Sequence, residues 1–127
     1  MLPPDSPFFP LDPARVILET RDAIAFFDMH PISEGHTLVV PKLVVIRLGE
    51  LPPEVEAGIW ETVRQVREHL EELYHPAGFS VGVNDGRAAG QTIPHAHVHV
   101  IPRYDGDVVD PRGGIRCIIP QRAKYWP

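Results

Sequence analysis

Cysteine is nearly missing from this 127-residue chain, in which Cys117 stands alone. No intrachain disulfide can form and a zinc site built from several thiolates is excluded, so a reducing cytoplasm is the expected setting. Excess positive charge is lacking as well. Twelve Lys plus Arg face seventeen Asp plus Glu, a formal net charge of −5, which argues against a nucleic-acid binder held mainly by phosphate neutralisation. No stretch approaches the roughly 18 apolar residues of a membrane span. The opening MLPPDSPFFP has neither the basic region nor the apolar run of an export signal. Neither nucleic acid nor membrane is an expected partner, and no internal repeat is visible.

What the chain does have is proline and histidine. Fifteen prolines cut it into short elements, and of its seven histidines three fall within five positions. With 43% hydrophobic residues, a chain this long can bury a single core. Residues 1–13 read as a proline-rich lead that Phe8 and Phe9 anchor to the body and to which we assign no chemistry. Arg15–Thr20 and Ala23–Phe27 read as a strand hairpin, and His36–Pro41 as a third strand after the turn-rich segment Met29–Gly35. Val55, Ile59, Val63, Val66, Leu70 and Leu73 are spaced 4, 4, 3, 4, 3, the stripe of an amphipathic helix bounded by Pro52 and Pro53 before it and Pro76 and Gly78 after it. Its charged residues read as a solvated face. Alternation returns at Phe79–Asn84, and further strands are expected at His95–Pro102 and Ile115–Ile119. The pattern predicts an α+β fold, a mainly antiparallel sheet with one long helix on one face.

The informative stretch is Gln91-Thr-Ile-Pro-His95-Ala-His97-Val-His99-Val-Ile101. Alternate strand residues share a face, so the three imidazoles form a row while Ala96, Val98 and Val100 belong to the core. His95 and His99 then lie roughly 13 Å apart along the strand, too far for all three to ligate one zinc without steep leaning. An adjacent pair such as His95 with His97, joined by His36 or a carboxylate, still leaves a metal site open. So does decoration of a wet surface, although three rings in register beside the glycine-punctuated loop Asp85–Gly90 favour a site. A row of imidazoles suits nucleotidyl transfer. The central ring can attack phosphorus and form a covalent intermediate, while its neighbours donate protons or hydrogen bonds to phosphate oxygens and the leaving group.

The run Gln91-Thr-x-x-His95-x-His97-x-His99-Val-Ile resembles the signature of the histidine-triad (HIT) family of nucleotide hydrolases and transferases. Phe26-Phe27-Asp28, Gly35-His36-Thr-Leu-Val-Val-Pro41-Lys42 and Val83-Asn84-Asp-Gly extend the resemblance, which spans about Arg15 to Arg103. It implies a HIT-like domain over residues 14–104, with a five-stranded sheet, one long helix and a short helix or irregular segment at the N-terminus. Residues 105–127 then form a C-terminal segment packed on the domain. The resemblance further implies His97 as nucleophile, His95 and His99 as groups that position or protonate phosphate and leaving group, and His36 as a supporting fourth histidine. It makes Asp28 the acceptor for ribose hydroxyls, sets Phe27 and Met29 beside the base, and brings Asn84, Gln91 and Thr92 to phosphate oxygens.

The activity implied is hydrolysis at the α-phosphate of a nucleotide. Dinucleoside polyphosphates are the first choice of substrate; a phosphoramidase, or a nucleotide-binding sensor without turnover, is the alternative. Homodimers joining two sheets into one are general in the family. Some relatives hold a structural zinc partly through an N-terminal Cys-x-x-Cys; the matching stretch here is Ser6-Pro-Phe-Phe9, so no such metal and no resident cofactor is expected. A divalent cation can accompany a polyphosphate substrate.

Overall fold

The computed structural model describes residues 1–127. Five strands, β1 (Val16–Glu19), β2 (Ala23–Phe27), β3 (Thr37–Pro41), β4 (Gly78–Gly82) and β5 (Val98–Arg103), form one sheet in the order β1-β2-β3-β5-β4. Every neighbouring pair is antiparallel. The single long helix α1 (Pro53–Tyr74) follows β3. Pro53 occupies its first turn, where no intrahelical N–H is required, and Glu54 and Glu56 sit near the positive end of its dipole. It stops at His75, whose left-handed φ of 51° is followed by Pro76.

The sheet is buried on both faces, and alternation sorts the residues. On one side Ala23, Ala25, Val39, Val98 and Val100 meet Ile59, Val63, Val66 and Leu70 of α1. On the other, Ile24, Phe26, Leu38 and Val40 are covered by Leu2, Leu11 and Phe8 of the lead. Gly58 lets α1 approach the β1–β2 turn, since a Cβ there would strike the Asp22 carboxylate. Nearby, Thr62 donates to the Gly58 carbonyl and its hydroxyl meets that of Thr20, so this buried polar pair is satisfied.

Three sequence expectations need correction. Leu73 is exposed, and Tyr74 packs inward in its place. The expected strand at Ile115–Ile119 is instead a 3-10 turn over Gly114–Ile118, leading into the one-turn helix α2 (Pro120–Ala123). Its β-branched residues suggested a strand, but Gly113 and Gly114 both take left-handed conformations just before it and no sheet edge receives it. The expected strand from His95 begins only at Val98, because His95 and Ala96 bond to Ile93 and Val45 rather than to β3.

Candidate active site

β5 carries His99 on the face opposite α1, and His97 lies just before it, their rings 5.2 Å apart between centroids. β3 is preceded by Gly35, buried with φ +90° against Tyr74. That turn delivers His36 to within 5.2 Å of His99. Hydrogen bonds fix the proton positions in series. The Ile32 amide donates to His36 Nδ1 (3.2 Å), so His36 keeps its proton on Nε2 and donates it to His99 Nδ1 (2.9 Å). Asp28 Oδ2 lies 3.4 Å from the same His36 nitrogen. His99 is left with its proton on Nε2, a donor. His97 Nδ1–H donates to the His95 carbonyl (2.7 Å), which leaves its Nε2 lone pair free. A nucleophilic nitrogen and a neighbouring donor therefore stand side by side.

Burial favours the neutral forms of His99, His36 and His95. Burial pushes His99 down to about 4, with His97 and His36 adding to the shift and Asp28 opposing it. Burial also lowers His36, again opposed by Asp28. His95 is lowered chiefly by burial, against the pull of two backbone carbonyls.

His95 differs from the other two. It is 0% exposed, its Nε2–H donates to the carbonyls of Pro41 (2.8 Å) and Leu43 (3.1 Å), and its Nδ1 meets Ser6 Oγ at 2.8 Å. Both ring nitrogens are spoken for, so the expected exchange of protons with phosphate or leaving group does not fit this placement. The lead, to which the sequence assigned no chemistry, brings Ser6 to this ring and packs Phe8 against both His95 (5.7 Å) and His97 (5.5 Å).

A cleft of about 460 Å³ opens over His97 and His99. Its lining combines the apolar Phe8, Phe9, Met29 and Leu38 with the charged Arg15 and Asp28 and with Asn84, Gly90, Gln91 and Thr92. Asp28, Met29, Asn84 and Thr92 line this one cleft. Gln91 lines it too, but its amide braces the loop, accepting from Gly86 N–H (2.9 Å) and donating to the carbonyls of Ile46 (2.7 Å) and Ile93 (3.0 Å). Phe27 faces away. It packs on Tyr74 (6.4 Å) beside α1 and lines a second cavity, of about 490 Å³, that reaches Asp28 and His36 but neither His97 nor His99. Period two sends Phe27 to the helix side and Phe26 to the histidine side, where Phe8 and the Arg15 guanidinium cover it.

Sequence reasoning missed Ser6, Phe8 and Arg15. Arg15 donates twice to the Phe27 carbonyl (2.9 and 3.1 Å) and so reaches the cleft wall. No spacing rule links Ser6 to a histidine 89 residues later.

The donors present do not suit a structural zinc at the lead, since Ser6 and Phe9 offer no thiolate and the Ser6 hydroxyl already engages His95. The metal alternative built on His95 and His97 is not assembled either. The residues whose ligand atoms converge, within 4.8 Å, are Asp28, His36 and His99, and two of these already share a hydrogen bond.

A five-stranded antiparallel sheet, one long helix and a His-x-His-x-His run whose last two rings line a cleft define a class, and the HIT domain family matches residues 11–106: the chain belongs to that family. It is 38% identical over 94 residues to the bis(5'-nucleosyl)-tetraphosphatase [asymmetrical] of Schizosaccharomyces pombe, covering 74% of this chain and 52% of that protein. It is 32% identical over 99 residues to the bifunctional bis(5'-adenosyl)-triphosphatase/adenylylsulfatase FHIT of Arabidopsis thaliana, covering 78% of this chain and 55% of that one. The chain thus spans about half the length of these two relatives. Among solved structures, a zinc-bound histidine triad family protein from Mycobacterium smegmatis aligns with TM-score 0.71 and 37% identity, over 78% of this chain and 72% of that one. No helix here is long and apolar enough to cross a membrane.

Proposed function

We propose that this protein is a nucleotide hydrolase that cleaves dinucleoside polyphosphates at the α-phosphate, and the observation that carries this reading is the bare Nε2 of His97 in the lining of the cleft. Its lone pair attacks the α-phosphorus; a P–N bond forms as the P–O bond to the departing polyphosphate breaks. Water then attacks the same phosphorus, the P–N bond breaks, and a nucleoside monophosphate leaves with His97 restored. The Nε2–H of His99 donates to a phosphate oxygen as charge develops, held in place by His36. Asn84 and Thr92 contact the phosphates, Asp28 accepts from the ribose hydroxyls, and Met29 with Phe8 and Phe9 flanks the base.

The names of the two relatives support the substrate class. Adenylylsulfate, whose cleavage is also named among relatives, tests the tolerance for other leaving groups. No resident metal takes part; a divalent cation arrives with the substrate. A homodimer joined through β4, an edge strand with Val81 exposed, and work in the cytoplasm, where exposed Cys117 stays reduced, complete the proposal.

The test is rapid-quench mass analysis with a panel of dinucleoside polyphosphates, adenosine phosphoramidate and adenylylsulfate, run in H₂¹⁸O. The expected outcome is an adduct on His97 that forms and decays within a turnover, highest kcat/KM for a dinucleoside polyphosphate, and ¹⁸O in the monophosphate. Turnover with no adduct, and inversion at phosphorus when the α-phosphate is replaced by a chiral phosphorothioate, would overturn the covalent route. Binding without turnover of any substrate would favour a sensor.

A further inference from the structure

The proline-rich lead holds one feature that apolar anchoring does not require. Leu2, Phe8 and Leu11 suffice to cover Ile24, Phe26, Leu38 and Val40, yet between them the chain buries a serine that is 3% exposed. Its hydroxyl accepts from the Phe8 amide (3.1 Å) and faces His95 Nδ1 (2.8 Å). His95 Nε2 carries the proton it donates to Pro41 and Leu43, so Nδ1 is the acceptor and Ser6 the donor. A buried hydroxyl and a buried imidazole are costly unless each is satisfied, and here each satisfies the other.

The consequence reaches His97 in two ways. First, β5 starts only at Val98, so the His95 carbonyl is outside the ladder and free to accept the His97 Nδ1 proton. Whatever fixes residue 95 therefore fixes which nitrogen of His97 is bare. Second, the Phe8 ring meets the His97 ring edge to face, at 82° and 5.5 Å, and so limits its swing. The turn that carries Phe8 is closed by the same Ser6 hydroxyl.

We propose that Ser6 and Phe8 are positioning residues of the nucleophile, Ser6 fixing the tautomer of His97 through His95 and Phe8 fixing its ring orientation. The inference rests on His97 as the attacking group. It extends the reaction apparatus to a segment outside the sheet and helix, and it ties the chemistry to the seating of the lead.

Nitrogen-15 NMR of histidine-labelled full-length protein reads the tautomer directly, without turnover. In the wild type His97 is expected to hold its proton on Nδ1. Ser6→Ala should give a mixture of Nδ1–H and Nε2–H forms and slow single-turnover adduct formation about tenfold, in line with the cost of small misplacements, with nucleotide affinity unchanged. Ser6→Thr, which keeps the hydroxyl, should restore both. Phe8→Leu should slow adduct formation without changing the tautomer. A wild-type His97 protonated on Nε2 overturns the proposal, and that measurement stands even if Ser6→Ala fails to fold. A folded Ser6→Ala protein with wild-type tautomer overturns it too, whether its rate is unchanged or falls only in step with Tm. If no nucleotide modifies the wild type, the hydrolase reading fails while the tautomer measurements still decide the role of Ser6.

Discussion

The two faces of the sheet are built from the same strands but differ in every other respect. The α1 face is closed by one contiguous helix, and its buried cluster contains no titratable side chain. The opposite face is covered in part by an irregular lead and carries the cleft with His97, His99 and Asp28, and His36 hydrogen-bonded to His99. From His97 into β5, Val98 and Val100 face the helix while His97 and His99 face the cleft. A period of two separates the duties so that each can change with little cost to the other.

The sharpest way to break that separation is to strike each face once. His97→Asn should cut turnover about 10⁴-fold or more, as loss of a nucleophile does, and leave the urea midpoint close to wild type. Leu70→Ala, a fully buried site on α1, should cost about 2–5 kcal/mol of stability yet keep kcat per folded molecule. If His97→Asn unfolded the protein, or Leu70→Ala reduced kcat while folded, the faces would be coupled and the separation lost.

How much of this was legible in the sequence differs between the faces in the same way. The helix stripe, the hairpin and the alternation in β5 announced the α1 face, because local periodicity records burial against a regular partner. His36, His97, His99, Asp28, Asn84 and Thr92 were named through the family pattern; all but His36 line one cleft, and His36 is tied to it through its hydrogen bond to His99. The burial of His95 and the part played by Ser6 and Phe8 were not legible. The lead covers the sheet with no repeating geometry, and a serine among prolines reads as a turn residue. Phe27 was misplaced by one residue, and one residue is enough to move a side chain through the sheet.

Acid should sharpen the contrast more gently. His36, His95 and His99 all titrate below their usual value of about 6.5, His99 at about 4. As pH falls through 6.5 the unfolded chain takes up protons that the native chain refuses until lower pH. The unfolded state then binds more protons, so stability declines from about pH 6.5 toward 4 and is level above that window. Urea unfolding at a series of pH values measures this slope, and His99→Gln should flatten it. A profile with no slope between pH 4 and 6.5 would mean the histidine face accepts charge as readily as the unfolded chain does.

The smallest expected effects come from the adjacent pair Phe27 and Asp28, and they set the boundary between the faces. Phe27→Leu trims a ring packed on Tyr74; it should cost about 1 kcal/mol of stability, typical of a single substitution at a half-buried apolar site, and leave KM for ribonucleotide substrates unaltered. Asp28→Ala should do the reverse. Removing a charge-assisted acceptor should cost about 1.5–3 kcal/mol of ribonucleotide binding, with a smaller loss for the deoxy analogue, which has one hydroxyl fewer to donate. Because Asp28 also lies beside His36, kcat should fall alongside, for both sugars equally. That equal part isolates the histidine relay, and the ribose-dependent remainder isolates sugar recognition. Were Phe27→Leu instead to raise KM, the base would have to sit on the α1 side, in the cavity bounded by Tyr74, and the cleft over His97 would lose its role as the nucleoside site.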